Sequence, residues 1–214
     1  SGTNGEILCR VLYPADSEYG LQIISDKNVK DVALGGKTFE EARTSYNNAI
    51  ETLNHEAEVY INPNYATDAR CVGSVPTVEN GIFIQKSSET VGPTEMEFEY
   101  NGSTSIDCKG RDINYETDKV QMEKMNLWTT GEYYWLASRY VDSHSSRCSF
   151  HERIVCASGS LYTSSLCDVI SEGNAYGNTN KYGLRLCILL KSDIKISAEG
   201  GRDGTIADKA YVIE

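Results

Sequence analysis

Near the start of the chain, two apolar stretches on either side of a turn-rich break predict two paired strands. Residues 6–13 and 19–25 are rich in β-branched and aromatic side chains, and Pro14-Ala15-Asp16-Ser17 interrupts them. Runs of this kind separated by turn-forming residues favour a hairpin. We therefore expect residues 6–25 to form a β-hairpin.

A helix is predicted over residues 38–60. Apolar side chains recur at steps of three and four from Ala42 to Tyr60, which places them on one helical face. Thr38 and Glu41 have the spacing of a capping box, in which each side chain accepts a hydrogen bond from the other's backbone N–H. The sequence Asn62-Pro63-Asn64 marks the end of the pattern. A second, shorter helix is predicted over residues 117–126, with Thr117 as its cap.

Short strands are predicted for much of the remaining chain, at residues 81–85, 96–100, 133–137 and 184–190. In the second of these, glutamates alternate with apolar residues, which is typical of a strand with one solvated face. Trp128 and Trp135 have apolar neighbours and are predicted to be buried. The pattern indicates an α+β fold in a single domain, residues 1–214, with two helices, a twisted antiparallel sheet and long ordered loops.

Charge and cysteine spacing exclude several classes of protein. The 214-residue chain has a formal net charge of -11, whereas binding to nucleic acid or to an anionic membrane requires clustered Lys and Arg. Its seven cysteines contain no CxxC pair, which excludes zinc-ribbon and thioredoxin-like motifs. The sequence does not distinguish between buried free thiols and one or two disulfides as the state of these cysteines. The chain has no apolar run of about 18 residues, the length that a membrane span requires.

Residues 140–180 have an unusual composition. These 41 residues contain no Lys, Gln, Met or Trp and only two Glu, whereas the other 173 residues contain 36 side chains of those five types. At the outside rate, about eight or nine would be expected here. Ser, Tyr, Asn, His and Arg take their place, a mixture typical of antibody-like binding surfaces. The segment is therefore predicted to be a binding surface.

Apolar residues recur through the same segment at short intervals. They are Val141, Cys148, Phe150, Val155, Leu161, Leu166, Cys167 and Val169. A disordered Ser-rich linker does not carry such anchors. We therefore expect an ordered scaffold beneath the polar residues.

Five runs of the sequence form a recognisable combination: Tyr46-Asn47-Asn48-Ala49-Ile50, the stretch of residues 65–74, Tyr134-Trp135-Leu136-Ala137-Ser138-Arg139, Tyr182-Gly183-Leu184-Arg185 and the stretch of residues 191–196. Together they resemble the variable proteins that are diversified by diversity-generating retroelements, in their bacterial surface or pilin-like group. Leu186 departs from the family, which usually has Pro after Gly-Leu-Arg. The resemblance covers nearly the whole chain.

The resemblance implies a C-type-lectin-like fold, in the variant shared with formylglycine-generating enzymes. In this family, adenines of a template are rewritten during copying, and a rewritten Asn codon cannot encode Lys, Glu, Gln, Met or Trp. Glu152 and Glu172 would then be invariant positions.

The resemblance also implies a division of residues 140–180 into displayed and framework positions. The displayed, ligand-binding positions would be Tyr140, Asp142, His144, Ser146, Arg147, Ser149, His151, Ile154, Cys156, Tyr162, Thr163, Ser164, Asp168, Ile170, Asn174, Tyr176 and Asn178. The framework positions would be Val141, Phe150, Arg153, Val155, Gly159, Leu161, Leu166, Val169 and Gly173.

The implied function is selective binding of an unknown protein or glycan ligand, as in an adhesin or receptor, without catalysis, metal or cofactor. The implied location is the cell surface or extracellular space, or a phage particle. Relatives often have a prepilin-like membrane tether, which would precede Ser1.

Four other interpretations stay open. Asp142, His144, Cys148 and His151 could bind zinc through their nitrogen, sulfur and oxygen atoms. Cysteine chemistry like that of the formylglycine-generating enzymes would need a reactive thiolate. The calcium-dependent sugar site of animal C-type lectins would need a Glu-Pro-Asn or Gln-Pro-Asp loop, which the chain lacks. A structural subunit, such as a pilin tip or phage decoration protein, would self-associate without a foreign ligand.

Overall fold

The computed structural model describes residues 7–13, 15, 20–73, 77–79, 82–84, 96, 98–100, 106–108, 131–144, 146–170, 174–197 and 212–213. Its helices are α1 (Phe39–Asn47) and α2 (Ala49–Glu58). Its strands are β1 (Cys9–Tyr13), β2 (Gln22–Ser25), β3 (Lys30–Gly35), β4 (Ala66–Cys71), β5 (Thr77–Glu79), β6 (Ile82–Ile84), β7 (Phe98–Tyr100), β8 (Ile106–Cys108), β9 (Tyr134–His144), β10 (Arg147–Val155), β11 (Leu161–Ile170), β12 (Ala175–Gly177), β13 (Thr179–Leu184), β14 (Leu186–Leu190), β15 (Ile196–Ser197) and β16 (Val212–Ile213).

Two mostly antiparallel sheets and two helices make the described chain an α+β protein, as the sequence predicts. A six-stranded sheet has the order β12-β11-β10-β9-β13-β3, and a four-stranded sheet has the order β1-β2-β14-β4. The pairs β5-β6, β7-β8 and β15-β16 form separate two-stranded sheets. The predicted strand over residues 184–190 begins only at Leu186, because the chain passes from β13 of one sheet to β14 of the other at Arg185.

The predicted strands are otherwise found, with shifted ends. The hairpin of β1 and β2 is antiparallel, with Cys9 opposite Ser25. Strands β6 and β7 lie within predicted residues 81–85 and 96–100. The strand predicted over residues 133–137 continues to His144, well beyond the prediction.

The helix predicted over residues 38–60 is two helices. Its start is confirmed, since the Thr38 hydroxyl accepts from the Glu41 N–H at 3.3 Å and the Glu41 carboxylate accepts from the Thr38 N–H at 3.1 Å. The prediction of one continuous helix is wrong, because Asn48 leaves helical geometry with φ -105° and ψ 7°. The guanidinium of Arg139 donates to the carbonyls of Tyr46 and Asn47 there, at 3.0 and 2.6 Å. The helix predicted over residues 117–126 lies outside the described residues.

The larger core includes buried residues of both helices and both sheets, and a smaller core joins β1 and β2 to β9, β10 and β11. Helix α1 packs against β3, β11 and β12, and the ring of Tyr46 meets Phe150 edge-on at 5.3 Å between centroids. Trp135 is buried, as predicted, and its indole N–H donates to the Val32 carbonyl at 2.8 Å. Trp128 lies outside the described residues. Among the helices that are described, none has the length and apolar character that would let it cross a membrane.

Candidate functional site

The register of β9, β10, β11 and β12 assigns residues 140–176 to two faces of one sheet. Residues directly opposite each other in antiparallel strands project to the same face, and successive residues alternate between faces. One cross-strand row is Val141, Phe150, Cys167 and Gly177, and the next is Ser143, Cys148, Val169 and Ala175. Because Phe150 contacts Tyr46 of α1, these rows face the helices and the core.

The alternating rows project to the opposite side of the sheet, which we call the outer face. Its rows are His144, Arg147 and Ile170; Asp142, Ser149, Asp168 and Tyr176; and Tyr140, His151 and Ser165. All of these except Ser165 belong to the set that the sequence predicts as displayed. Ser149 is 0% exposed, however, so it lies in an outer row without being displayed. Residues far apart in sequence therefore meet on one surface.

The predicted anchors of the segment are confirmed. Val141, Cys148, Phe150, Val155, Leu161, Leu166, Cys167 and Val169 are all buried, as is the framework residue Arg153. Glu152, which a rewritten Asn codon cannot encode, is also buried, and its carboxylate accepts from the Ser138 N–H at 3.0 Å. Gly159 has φ +82°, a backbone conformation that favours glycine. Gly173 and Glu172 lie outside the described residues.

Two predicted display residues point into the molecule instead. Ile154 is 2% exposed and lies opposite Trp135, on the core side. Ser164 is buried opposite Glu152, because a β-bulge places Leu166 as an extra residue between the pairs Phe150–Cys167 and His151–Ser165. The bulge reverses the alternation, so that Ser165 takes the outer position that a regular strand would give to Ser164. Both residues therefore belong with the framework.

The remaining predicted residues surround the outer face or lie away from it. Ser146 is exposed in the turn between β9 and β10, and Asn174 and Asn178 are exposed on either side of β12. Cys156, Tyr162 and Thr163 lie at the opposite end of the β10–β11 hairpin. The structure thus brings together most, but not all, of the predicted site.

The imidazole of His151 lies between Tyr140 and Ser165 in the last row of the outer face and is largely buried. Burial lowers the pKa of His151 to about 4, although the nearby carboxylates of Asp168 and Asp142 oppose this decrease. The positive charge of Arg147 lowers it further. The Tyr140 ring lies 5.6 Å from the imidazole between centroids. His151 is therefore neutral near pH 7, and its buried Nδ1 makes no hydrogen bond.

The two carboxylates of the outer face are each held through one oxygen. Oδ2 of Asp168 accepts from the Ser165 hydroxyl at 2.7 Å and from the Asn178 amide at 3.2 Å. Oδ2 of Asp142 lies 2.9 Å from Nε2 of His144. These contacts fix the positions of the carboxylates and leave the second oxygen of each free of hydrogen bonds to the protein. The outer face thus holds two carboxylate acceptors in fixed positions.

The zinc interpretation is not supported by this geometry. Cys148 is bonded to Cys108 in a disulfide and faces the core, whereas His144 and His151 project from the outer face. The described part of the chain contains no cluster of three or more His, Cys, Asp or Glu side chains able to hold a metal ion. A shared metal centre would require these side chains to converge.

Cysteine and serine chemistry also lacks the required contacts. Burial raises the pKa of the Cys167 and Cys187 thiols to about 12 and that of Cys71 well above its usual value, so these thiols stay protonated. Ser149 and His151 share the outer face, but the Ser149 hydroxyl makes no hydrogen bond. Activation of a serine nucleophile requires such a bond to its base.

Comparison with known proteins returns no relative: no protein family, no curated protein and no solved structure matches the chain.

Proposed function

We propose that the chain is a ligand-binding protein with a diversified surface, and that the outer face is the centre of that surface. The observation that carries the proposal is the separation of the two residue sets by face. Nine side chains that the sequence predicts as variable occupy the outer rows, and buried residues such as Val141, Cys148 and Phe150 occupy the rows between them. Changing outer residues would therefore alter the surface without altering the core.

The proposal includes a C-type-lectin-like scaffold of the type found in variable proteins of diversity-generating retroelements. A long antiparallel hairpin on a sheet backed by helices supports it. Such a scaffold can present different side chains because its strands are held by backbone bonds and by the core. This origin predicts a near-copy of the coding sequence for residues 140–180 in the genome, differing only at adenines and lying beside a reverse-transcriptase gene.

Exposed aromatic residues are the best candidates for anchors of a ligand. Tyr176 is 52% exposed on the outer face, and Tyr162 is 61% exposed on a part of β11 beyond the reach of β12. Tyr and Arg supply most of the binding energy in many interfaces, and Arg147 is exposed in the outer row next to that of Tyr176. The ligand would be a protein or glycan of another cell, a phage or a host. The protein itself would act at a cell surface, outside the cell or on a phage particle.

A binding screen with matched tyrosine variants tests this function. The probe is an array of bacterial and host surface glycans and surface proteins, with the purified protein applied as wild type, Tyr176→Ser or Tyr133→Ser. Tyr133 is 49% exposed but precedes β9 at its other end, so it is the matched control. We expect binding to a small subset of spots, a loss of about tenfold or more with Tyr176→Ser, and no loss with Tyr133→Ser.

Two results would contradict the proposal. If Tyr176→Ser and Tyr133→Ser reduce binding equally, the ligand does not contact the outer face specifically. Concentration-dependent self-association in light scattering, without any array signal, would favour a structural subunit. Melting temperatures of both variants should stay within a few degrees of wild type, so that lost binding is not lost folding.

A further inference from the structure

The central row of the outer face combines two carboxylates, a hydroxyl and an aromatic ring. We call Asp142, Ser149, Asp168 and Tyr176 the carboxylate row. Their strands are adjacent, and Ser149 lies directly opposite both aspartates. We propose that the carboxylate row binds the guanidinium group of an arginine side chain of a protein ligand. This inference rests on the proposed function and names the chemistry of one subsite within it.

The two carboxylates of the row can each accept further hydrogen bonds. Each uses Oδ2 for its protein contacts, and neither forms an ion pair with Arg147, the one cationic side chain among the ten outer-face residues. Two carboxylates outnumber the single arginine on the outer face, and the neutral His151 adds no charge. An incoming cation would therefore meet Asp168, whose contacts are a hydroxyl and an amide, and Asp142, whose Oδ2 contacts the His144 ring.

The Ser149 hydroxyl lies between the two carboxylates and is unpaired. Ser149 is 0% exposed, and its Oγ has no hydrogen-bond partner. Buried polar groups are normally paired, so the unpaired Ser149 hydroxyl between two acceptors lacks a donor that a ligand could supply. A guanidinium N–H can satisfy this oxygen once the side chains that cover it move aside, whereas a carboxylate or phosphate would be repelled by the flanking aspartates.

The spacing of the row favours guanidinium over ammonium. Neighbouring strands lie about 4.8 Å apart, so Asp142 and Asp168 are separated by two strand spacings, roughly 10 Å between backbones. A planar guanidinium presents five donors along two edges and can bond to groups on both sides, whereas an ammonium is a compact point charge. The exposed ring of Tyr176 at the end of the row adds a surface on which a guanidinium can stack.

Histidine resonances provide a direct test. The chain has three histidines, of which His144 and His151 lie on the outer face and His55 lies on α2. The probes are N-acetyl-argininamide, its neutral isostere N-acetyl-citrullinamide and N-acetyl-lysinamide, titrated to millimolar concentration into the full chain. We expect saturable shifts of the His144 and His151 ring protons with the arginine probe, at least threefold weaker binding of the lysine probe, and no shift of His55.

Carboxylate variants complete the test. Asp168→Asn and Asp142→Asn should each raise the apparent Kd of the arginine probe at least fivefold, because an amide retains the shape but not the charge of the acceptor. Asp31→Asn is the matched control, since Asp31 is exposed on β3 and lies 3.6 Å from Lys181, away from the outer face. Its Kd should equal that of wild type.

Three results would overturn the inference: equal shifts with the citrulline probe, unmoved His144 and His151, or an equal effect of Asp31→Asn. The inference and the proposed function can fail separately. If Tyr176→Ser abolishes an array signal while the arginine probe leaves His144 and His151 unmoved, the binding function stands and the guanidinium subsite does not.

Discussion

Acidification should destabilise the fold through His151. Its pKa is lowered to about 4 in the folded protein, mainly by burial, from an ordinary value of 6.5. Between these two values, the unfolded chain binds a proton that the folded protein does not, so stability falls as pH decreases. Above about pH 6.5 both states are neutral at this residue, and its contribution no longer changes with pH.

The size of this effect follows from the two pKa values. A difference of one in pKa corresponds to 1.36 kcal/mol, so the change from 6.5 to about 4 sets an upper bound of about 3 kcal/mol. Solvent contact at the partly exposed ring reduces it, and we expect about 2 kcal/mol to be lost between pH 7.5 and pH 4.5. Nearly all of that loss should fall below pH 6.5.

Urea unfolding at a series of pH values measures the effect, and a variant isolates it from the carboxylates that titrate in the same range. His151→Gln cannot gain the proton, so its free energy of unfolding should fall by about 2 kcal/mol less than that of wild type over this interval. His144→Gln, which removes an exposed histidine of the same face, should follow wild type. If the free energy of unfolding has the same pH dependence in wild type and His151→Gln, His151 does not cause the loss of stability. Titration of the His151 ring near pH 6.5 by NMR would contradict the lowered pKa.

Two further predictions concern residues that the structure places on the core side of the sheet. Arg139→Met should lower the free energy of unfolding, measured in urea, by roughly 2–4 kcal/mol, because the carbonyls of Tyr46 and Asn47 lose their charged donor. Arg139→Lys should recover only part of the lost stability. Full recovery with lysine would contradict the bonding of Arg139 to both carbonyls. Ile154→Asn should lower the free energy of unfolding by roughly 3–5 kcal/mol, because it buries an amide in place of an apolar side chain. Tyr162→Asn, at an exposed position, should lower it by less than about 1 kcal/mol. Similar losses for the two variants would contradict the burial of Ile154 and the exposure of Tyr162.

Features of the fold that depend on neighbouring residues were predictable from the sequence. The capping box at Thr38 is such a feature, because its two hydrogen bonds join residues three apart. The break at Asn48 was not predictable, because apolar spacing continues through it and the donor that takes the carbonyls, Arg139, is remote in sequence. The Cys108–Cys148 disulfide likewise depends on tertiary proximity, and cysteine spacing alone left it open.

The candidate site shows the same division between local and remote information. Alternation along β9 and β10 was enough to separate Asp142 from Val141, because those strands are regular there. The bulge at Leu166 has no signature in the apolar pattern, and it exchanged the positions of Ser164 and Ser165. A strand's register is set by its partners, so composition could single out residues 140–180 but not the face of each residue.

The outer face should tolerate changes of its side chains, whereas the core-side residues should not. Two libraries test this: one randomises Asp142, His144, Arg147 and Tyr176, and the other randomises Val141, Phe150, Leu166 and Val169, each with codons that end in a pyrimidine. Protease resistance of the library members reports folding. We expect most members of the outer-face library, and few of the core-side library, to remain resistant. Equal resistant fractions in the two libraries would contradict this expectation.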